Sequence, residues 1–188
     1  MLKNSIEGLP YHLGVRSLDA VASRQDRVCV LNILGGESKQ VTPISHSFSG
    51  GNVVFGTSPG RRGQLLQTSL GAIPVFNNVR EGLDAGFAFD TGVVYLPPSA
   101  VRDGVAELVR VNPGLKKIVI ITEKIAVHDS REIRALGQAH GIDIFGGNCL
   151  GMADSWQRAR IGGALGGDYP EEGSPQRFNR HFLKFWRL

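Results

Sequence analysis

Among the residue types able to do chemistry, the segment Ser58-Pro59-Gly60-Arg61-Arg62-Gly63 stands out, because it sets two guanidinium groups directly after a Pro-Gly pair. Proline fixes one backbone angle and glycine supplies the conformation other residues avoid, so the segment reads as a rigid turn. Guanidinium forks bind phosphate oxygens in pairs, so the chemistry offered is anion binding, although a solvated basic turn has the same composition. A second small-residue loop, Gly35-Gly36-Glu37-Ser38-Lys39, lets a backbone come close to a ligand, but it lacks the GxGxxG spacing. No acidic residue closes the run Asn52 to Phe55, where a dinucleotide-binding domain would hold ribose hydroxyls. NAD is therefore disfavoured. The cysteines, Cys29 and Cys149, have neither CxxC spacing nor a neighbouring histidine, so a zinc site and a disulfide framework are both unsupported. His12, His46, His128, His140 and His181 are scattered, and no nucleophile has the adjacent base that covalent catalysis needs.

Such loops must be carried by a scaffold. Short apolar, β-branched runs at Arg27 to Leu34, Asn52 to Phe55, Thr91 to Leu96, Lys117 to Ile121 and Asp143 to Phe145 alternate with stretches of helical period, the pattern of βαβ units. Ser99 is placed to cap a helix whose Val101, Val105, Leu108 and Val109 share a face, with Pro113-Gly114 ending it. Asp129 and Glu132 have capping-box-like spacing before Ile133, Leu136 and Ala139, and Gly141 is a natural stop. Asn77 or Asn78 starts a shorter helix through Arg80 and Leu83. The fold class expected is α/β, a Rossmann-like parallel sheet with helices on both faces. In such sheets ligands bind at the carboxyl ends of the strands, where these small and polar loops lie.

The 188 residues, 41% hydrophobic and 20% charged with 25 glycines, describe one globular domain rich in turns. No run of about 18 apolar residues occurs and Met1 to Gln25 lacks the apolar block of a signal peptide, so a cytoplasmic protein is expected. The net charge of +4 owes much to Arg177, Arg180, Lys184 and Arg187, with no acid after Arg177, and gives little support to nucleic acid as a partner. The expected organisation is an N-terminal appendage over 1–25, the Rossmann-like domain over 26–168, and a basic, aromatic tail over 169–188. That tail suits a membrane or partner surface, or more simply covers the domain's edge.

Five segments in order carry a resemblance: Ser58-Pro59-Gly60-Arg61-Arg62-Gly63, Ile73 to Glu81, Val94-Tyr95-Leu96-Pro97-Pro98, Ile120-Ile121-Thr122-Glu123 and Gly146 to Gly151. Together they resemble the CoA-binding domain of succinyl-CoA synthetase (succinate-CoA ligase) alpha subunits and related NDP-forming acyl-CoA ligases. The resemblance spans about Arg27 to Gly167. It implies coenzyme A lying across the strand ends, with Gly36 and Ser38 in the first loop, Ser58, Pro59, Gly60 and Arg61 in the second, Pro97 and Pro98, and Ile121, Thr122 and Glu123 around it. Arg61 stands where the family usually has lysine, which keeps the charge and adds a fork.

The sequence departs from the family in three places. The first loop keeps one aligned glycine and adds Glu37; the Gly-Pro-Asn-Cys-Pro-Gly turn has become Gly146-Gly147-Asn148-Cys149-Leu150-Gly151; and the chain stops soon after Gly166-Gly167-Asp168, before the domain that carries the family's phosphorylated histidine. The resemblance implies the reaction carboxylate + CoA + NTP to acyl-CoA + NDP + phosphate, with a separate phosphohistidine domain and a ligase beta-type subunit as partners and no activity of this chain alone. A stand-alone CoA-binding or regulatory module is the alternative.

Overall fold

The structure, a computed structural model, describes residues 21–154 and 157–163. His12, His181, the tail over 169–188 and most of the N-terminal appendage lie outside the described residues.

Strands β1 (Val28–Leu31), β2 (Val53–Thr57), β3 (Leu65–Thr68), β4 (Gly71–Phe76), β5 (Thr91–Val94), β6 (Lys117–Ile120) and β7 (Asp143–Phe145) form one sheet in the order β3-β4-β2-β1-β5-β6-β7. All neighbours are parallel except β3, an antiparallel edge strand on β4. This is the Rossmann-like arrangement, with one antiparallel edge added to the parallel sheet that was expected. Helices α1 (Gly36–Phe48), α2 (Val79–Asp84), α3 (Val101–Val111) and α4 (Val127–His140) connect the strands, and a hairpin of β8 (Met152–Asp154) and β9 (Ala159–Ile161) follows.

The central strands are buried on both faces, so they read as continuous apolar runs whose alternate residues serve different cores. Val28, Val30, Val53, Val93 and Val119 pack with Met152, Ala159 and Ile161 of the hairpin. Cys29, Leu31, Phe55, Val94, Ile118 and Ile120 pack with Val79 of α2, Val101, Val105 and Leu108 of α3, and Ile133 of α4. Helix α1 lies against β3 and β9.

Several boundaries differ from the sequence reading. Strand β1 stops at Leu31 because Asn32 turns left-handed, at φ 61°. Ser99 lies in a 3-10 turn (Pro98–Ala100), and Ala100 precedes α3 without a side-chain cap. Helix α4 starts at Val127, so Asp129 sits in its first turn, where it still opposes the helix dipole favourably. Asn78 does cap α2, accepting from the Glu81 N–H, and Gly141 ends α4 in the left-handed conformation. Val21 and Ala22, expected outside the domain, are buried in its core, and Asp26 pairs with the buried Lys117 ammonium at 2.8 Å.

Candidate functional site

Strands β1 and β5 are parallel neighbours whose chains leave towards opposite faces, which opens a crevice at their carboxyl ends. Asn32 bridges it: its left-handed backbone reverses the chain after β1, and its side-chain amide donates to the Tyr95 carbonyl at 3.0 Å. Gly35 donates back to the Asn32 carbonyl at 2.9 Å and precedes α1. Gly36 opens the helix on the surface, and a side chain there would meet nothing within 4 Å. Glu37 is exposed in the first turn, where its carboxylate already complements the positive helix end. Ser38 is buried, and its hydroxyl donates to the Asn32 carbonyl. The Ser38 hydroxyl thus braces the loop from beneath.

The second loop is built as a type II turn. Arg61 N–H donates to the Ser58 carbonyl at 3.0 Å, Pro59 takes the second position, and Gly60, at φ 75°, takes the third. Ser58 is buried and its hydroxyl accepts from the Leu34 N–H at 3.2 Å, which fastens this turn to the first loop. From the other side Asn77 accepts the Gly60 N–H at 2.9 Å and the Arg62 N–H at 3.3 Å through Oδ1. Asn77 in turn donates to Glu81 through its backbone N–H at 3.1 Å and Nδ2 at 3.2 Å. Chiefly that backbone N–H holds the Glu81 carboxyl below its usual range, with Asn77's amide and Arg62 helping. Arg62 lies 3.8 Å from Glu81, whereas Arg61 is exposed and has no ion pair among the described residues.

The remaining loops complete the rim. Pro97 and Pro98 are exposed after β5. Ile121 is buried and donates to Val94 at 3.1 Å, and Thr122 ties the neighbouring strand end by donating its hydroxyl to Leu96 at 2.7 Å. Glu123 is exposed. Of the residues nominated from sequence, the surface of this edge carries Gly36, Pro59, Gly60, Arg61, Pro97, Pro98 and Glu123, while Ser38, Ser58, Ile121 and half-buried Thr122 support it from beneath. Sequence reasoning missed Asn32 and, as a site residue, Asn77. The signal for Asn77 was its place before the Asn78 cap with Glu81 one turn on.

Nothing among the described residues supplies covalent chemistry here. His46 is buried and its Nδ1 accepts from the Val53 N–H at 3.1 Å. Burial pushes both thiols, Cys29 and Cys149, above their ordinary range. His128, Asp129 and Glu132 cluster on α4, but the imidazole offers its two nitrogens to different carboxylates, at 3.7 and 3.5 Å, and Glu132 also meets Arg102 at 3.3 Å. That is surface pairing, since a metal ion takes one nitrogen of a ring.

Comparison with known proteins decides the ligand. Residues 28–124 match the CoA binding domain, a span that contains β1 to β6 and all the loops just described. The chain belongs to this CoA-binding domain family. Coenzyme A is accordingly the ligand of the family, and the chain resembles alpha subunits of NDP-forming acyl-CoA ligases. It is 32% identical over 130 residues to the ADP-forming sulfoacetate-CoA ligase subunit SqwL of an Acholeplasma species, matching 69% of this chain and 41% of that one. It is 30% identical over 132 residues to the succinate-CoA ligase [ADP-forming] subunit alpha 2 of Archaeoglobus fulgidus, 70% of this chain and 43% of that one. The chain thus spans about two-fifths of the length of these relatives. Among solved structures, ATP citrate lyase from Methanothrix soehngenii in complex with citrate and coenzyme A superposes with a TM-score of 0.64 at 15% identity, over 77% of this chain and 24% of that one. It shares the fold of this CoA-binding domain.

Proposed function

We propose that this chain supplies the CoA site of an NDP-forming carboxylate-CoA ligase of the succinyl-CoA synthetase alpha type. The whole reaction is carboxylate + CoA + NTP to acyl-CoA + NDP + phosphate, run in the cytoplasm with a phosphohistidine-bearing domain and a nucleotide-binding beta-type subunit. The observation that carries this reading is Arg61, a cation without an acidic partner among the described residues, held on a hydrogen-bonded turn at the carboxyl edge of a CoA-binding domain.

The residues present fit the ligand. Gly36 and Gly60 leave open space where a side chain would stand, so phosphates can approach the backbone. Arg61 binds a phosphate by charge-assisted hydrogen bonds, and Arg62 adds positive potential while Glu81 restrains it. Pro97 and Pro98 offer no N–H and form an apolar ledge for the pantetheine arm. Bound CoA supplies the thiol that accepts the acyl group; this chain's residues position it and hold its charges. Positioning gives no thioester without an activated carboxylate: His46 is buried in α1 with its Nδ1 engaged by Val53, His140 lies at the far end of α4, and His128, at the start of α4, sits beside Asp129 and Glu132.

The test mixes the purified chain with ATP or GTP, CoA and several dicarboxylates, with and without a beta-type subunit and a phosphohistidine domain. Thioester formation only in the complete mixture supports the reading. Turnover by the chain alone, or an acid-labile phosphate on one of its histidines, contradicts it.

A further inference from the structure

We propose that Asn77 is a positioning residue that fixes the direction of Arg61, an inference that rests on the reading of Arg61 as a CoA phosphate contact. Arginine has many rotamers, so its affinity for an anion depends on how firmly its own backbone is aimed. In the turn Ser58-Pro59-Gly60-Arg61, one bond, from Arg61 N–H to Ser58 O, closes the ring. The flanking N–H groups of Gly60 and Arg62 both point to one atom, Asn77 Oδ1, at 2.9 and 3.3 Å. Arg61 is therefore bracketed by two residues held by the same carboxamide.

That carboxamide is itself oriented. Nδ2 and the Asn77 backbone N–H donate to the two oxygens of Glu81, so Oδ1 can face only the turn. Glu81 is held in turn by the Asn78 cap, and its carboxylate also draws off Arg62 at 3.8 Å. The arrangement separates the two guanidinium groups: Arg62 is drawn towards Glu81, and Arg61 is left exposed with no ion pair among the described residues. An aspartate at position 77 could not play this part, because a carboxylate cannot donate to Glu81 and would repel it. Asparagine alone both accepts from the turn and donates to the acid at this length.

A double-mutant cycle read by calorimetric CoA titration of the full chain tests the proposal, with melting temperature recorded for each variant. Asn77→Ala is expected to weaken CoA binding about tenfold when Arg61 is present and less than about twofold in the Arg61→Ala background, with melting temperature nearly unchanged. Equal weakening in both backgrounds would overturn it, since Asn77 would then act independently of Arg61. If Asn77→Ala does not fold, Asn77→Ser takes its place, its short hydroxyl reaching at most one of the two N–H groups, and the same cycle decides. Should Arg61→Ala leave CoA affinity unchanged, the reading of Arg61 fails first and this proposal with it. Should Arg61→Ala weaken binding and Asn77→Ala not, the proposal fails alone.

Discussion

At the scale of the residue, charge and hydrogen bonding give opposite fates to neighbouring groups. Arg61 is exposed on a turn whose backbone is tied from both sides, so its removal should cost binding and not folding. Arg61→Ala is expected to weaken CoA binding about 10- to 100-fold at unchanged melting temperature, as measured by calorimetry and thermal denaturation. His46 behaves otherwise. Burial lowers its pKa from the ordinary 6.5, and its Nδ1 must stay unprotonated to accept from Val53. Below that ordinary value the unfolded chain takes up a proton that the folded chain refuses, so stability falls as pH falls from about 6.5. Denaturant titrations between about pH 7.5 and 5 should show this decline, and His46→Asn, which keeps an acceptor but does not titrate, should flatten it.

At the scale of the element, the turn residues and the apolar strands were legible, and the polar elements were not. Strands β1, β2, β5 and β6 announce themselves because both faces are buried and both therefore need apolar side chains, while the edge strand β7, with only Phe145 fully buried, is short. Helix α1 buries Ser38, Thr42, Ser45 and His46 beside a single apolar residue, Phe48, so its buried side is mostly polar and hard to read; Ser45 donates to Gly162 and Ser49, just past the helix, to Arg160 across to the β9 hairpin. Pro74 disguised β4, where the strand tolerates proline because the β2 pairing begins only at Val75. Proline has a second use after β5. Pro98→Ala should lower CoA affinity more than melting temperature if the pair forms a ledge for pantetheine; a lowered melting temperature with affinity retained would leave it as a strand terminator only. The β6 strand begins with Lys117, buried against Asp26 and the Val21 carbonyl. Asp26→Ala leaves that ammonium buried without its carboxylate and should destabilise the chain by about 3 kcal/mol in denaturant titration, with CoA affinity preserved in the folded fraction.

At the scale of the whole molecule, the seven-stranded sheet converts sequence order into a single edge where the loops after β1, β2, β5 and β6 meet. Hydrogen bonds from Leu34 to Ser58, Asn32 to Tyr95 and Thr122 to Leu96 join those loops to one another. The candidate site was readable in outline because each strand end carries glycine, proline or a small polar residue. Which of these residues reach the surface of the edge and which lie beneath it was not readable, because burial at a loop is decided by partners distant in sequence. Ser38 and Arg61 show both outcomes.

Strand β2 closes on Thr57 with no carboxylate for ribose hydroxyls, while the turn after it offers a cation for phosphate. The most direct test of CoA recognition at this edge is calorimetric titration of the full chain with CoA, dephospho-CoA and NADH in one buffer. Saturable binding of CoA, weaker binding of dephospho-CoA with its missing phosphate, and no binding of NADH are predicted. Binding of NADH as tight as that of CoA, or no heat from CoA with the chain folded, would contradict the account.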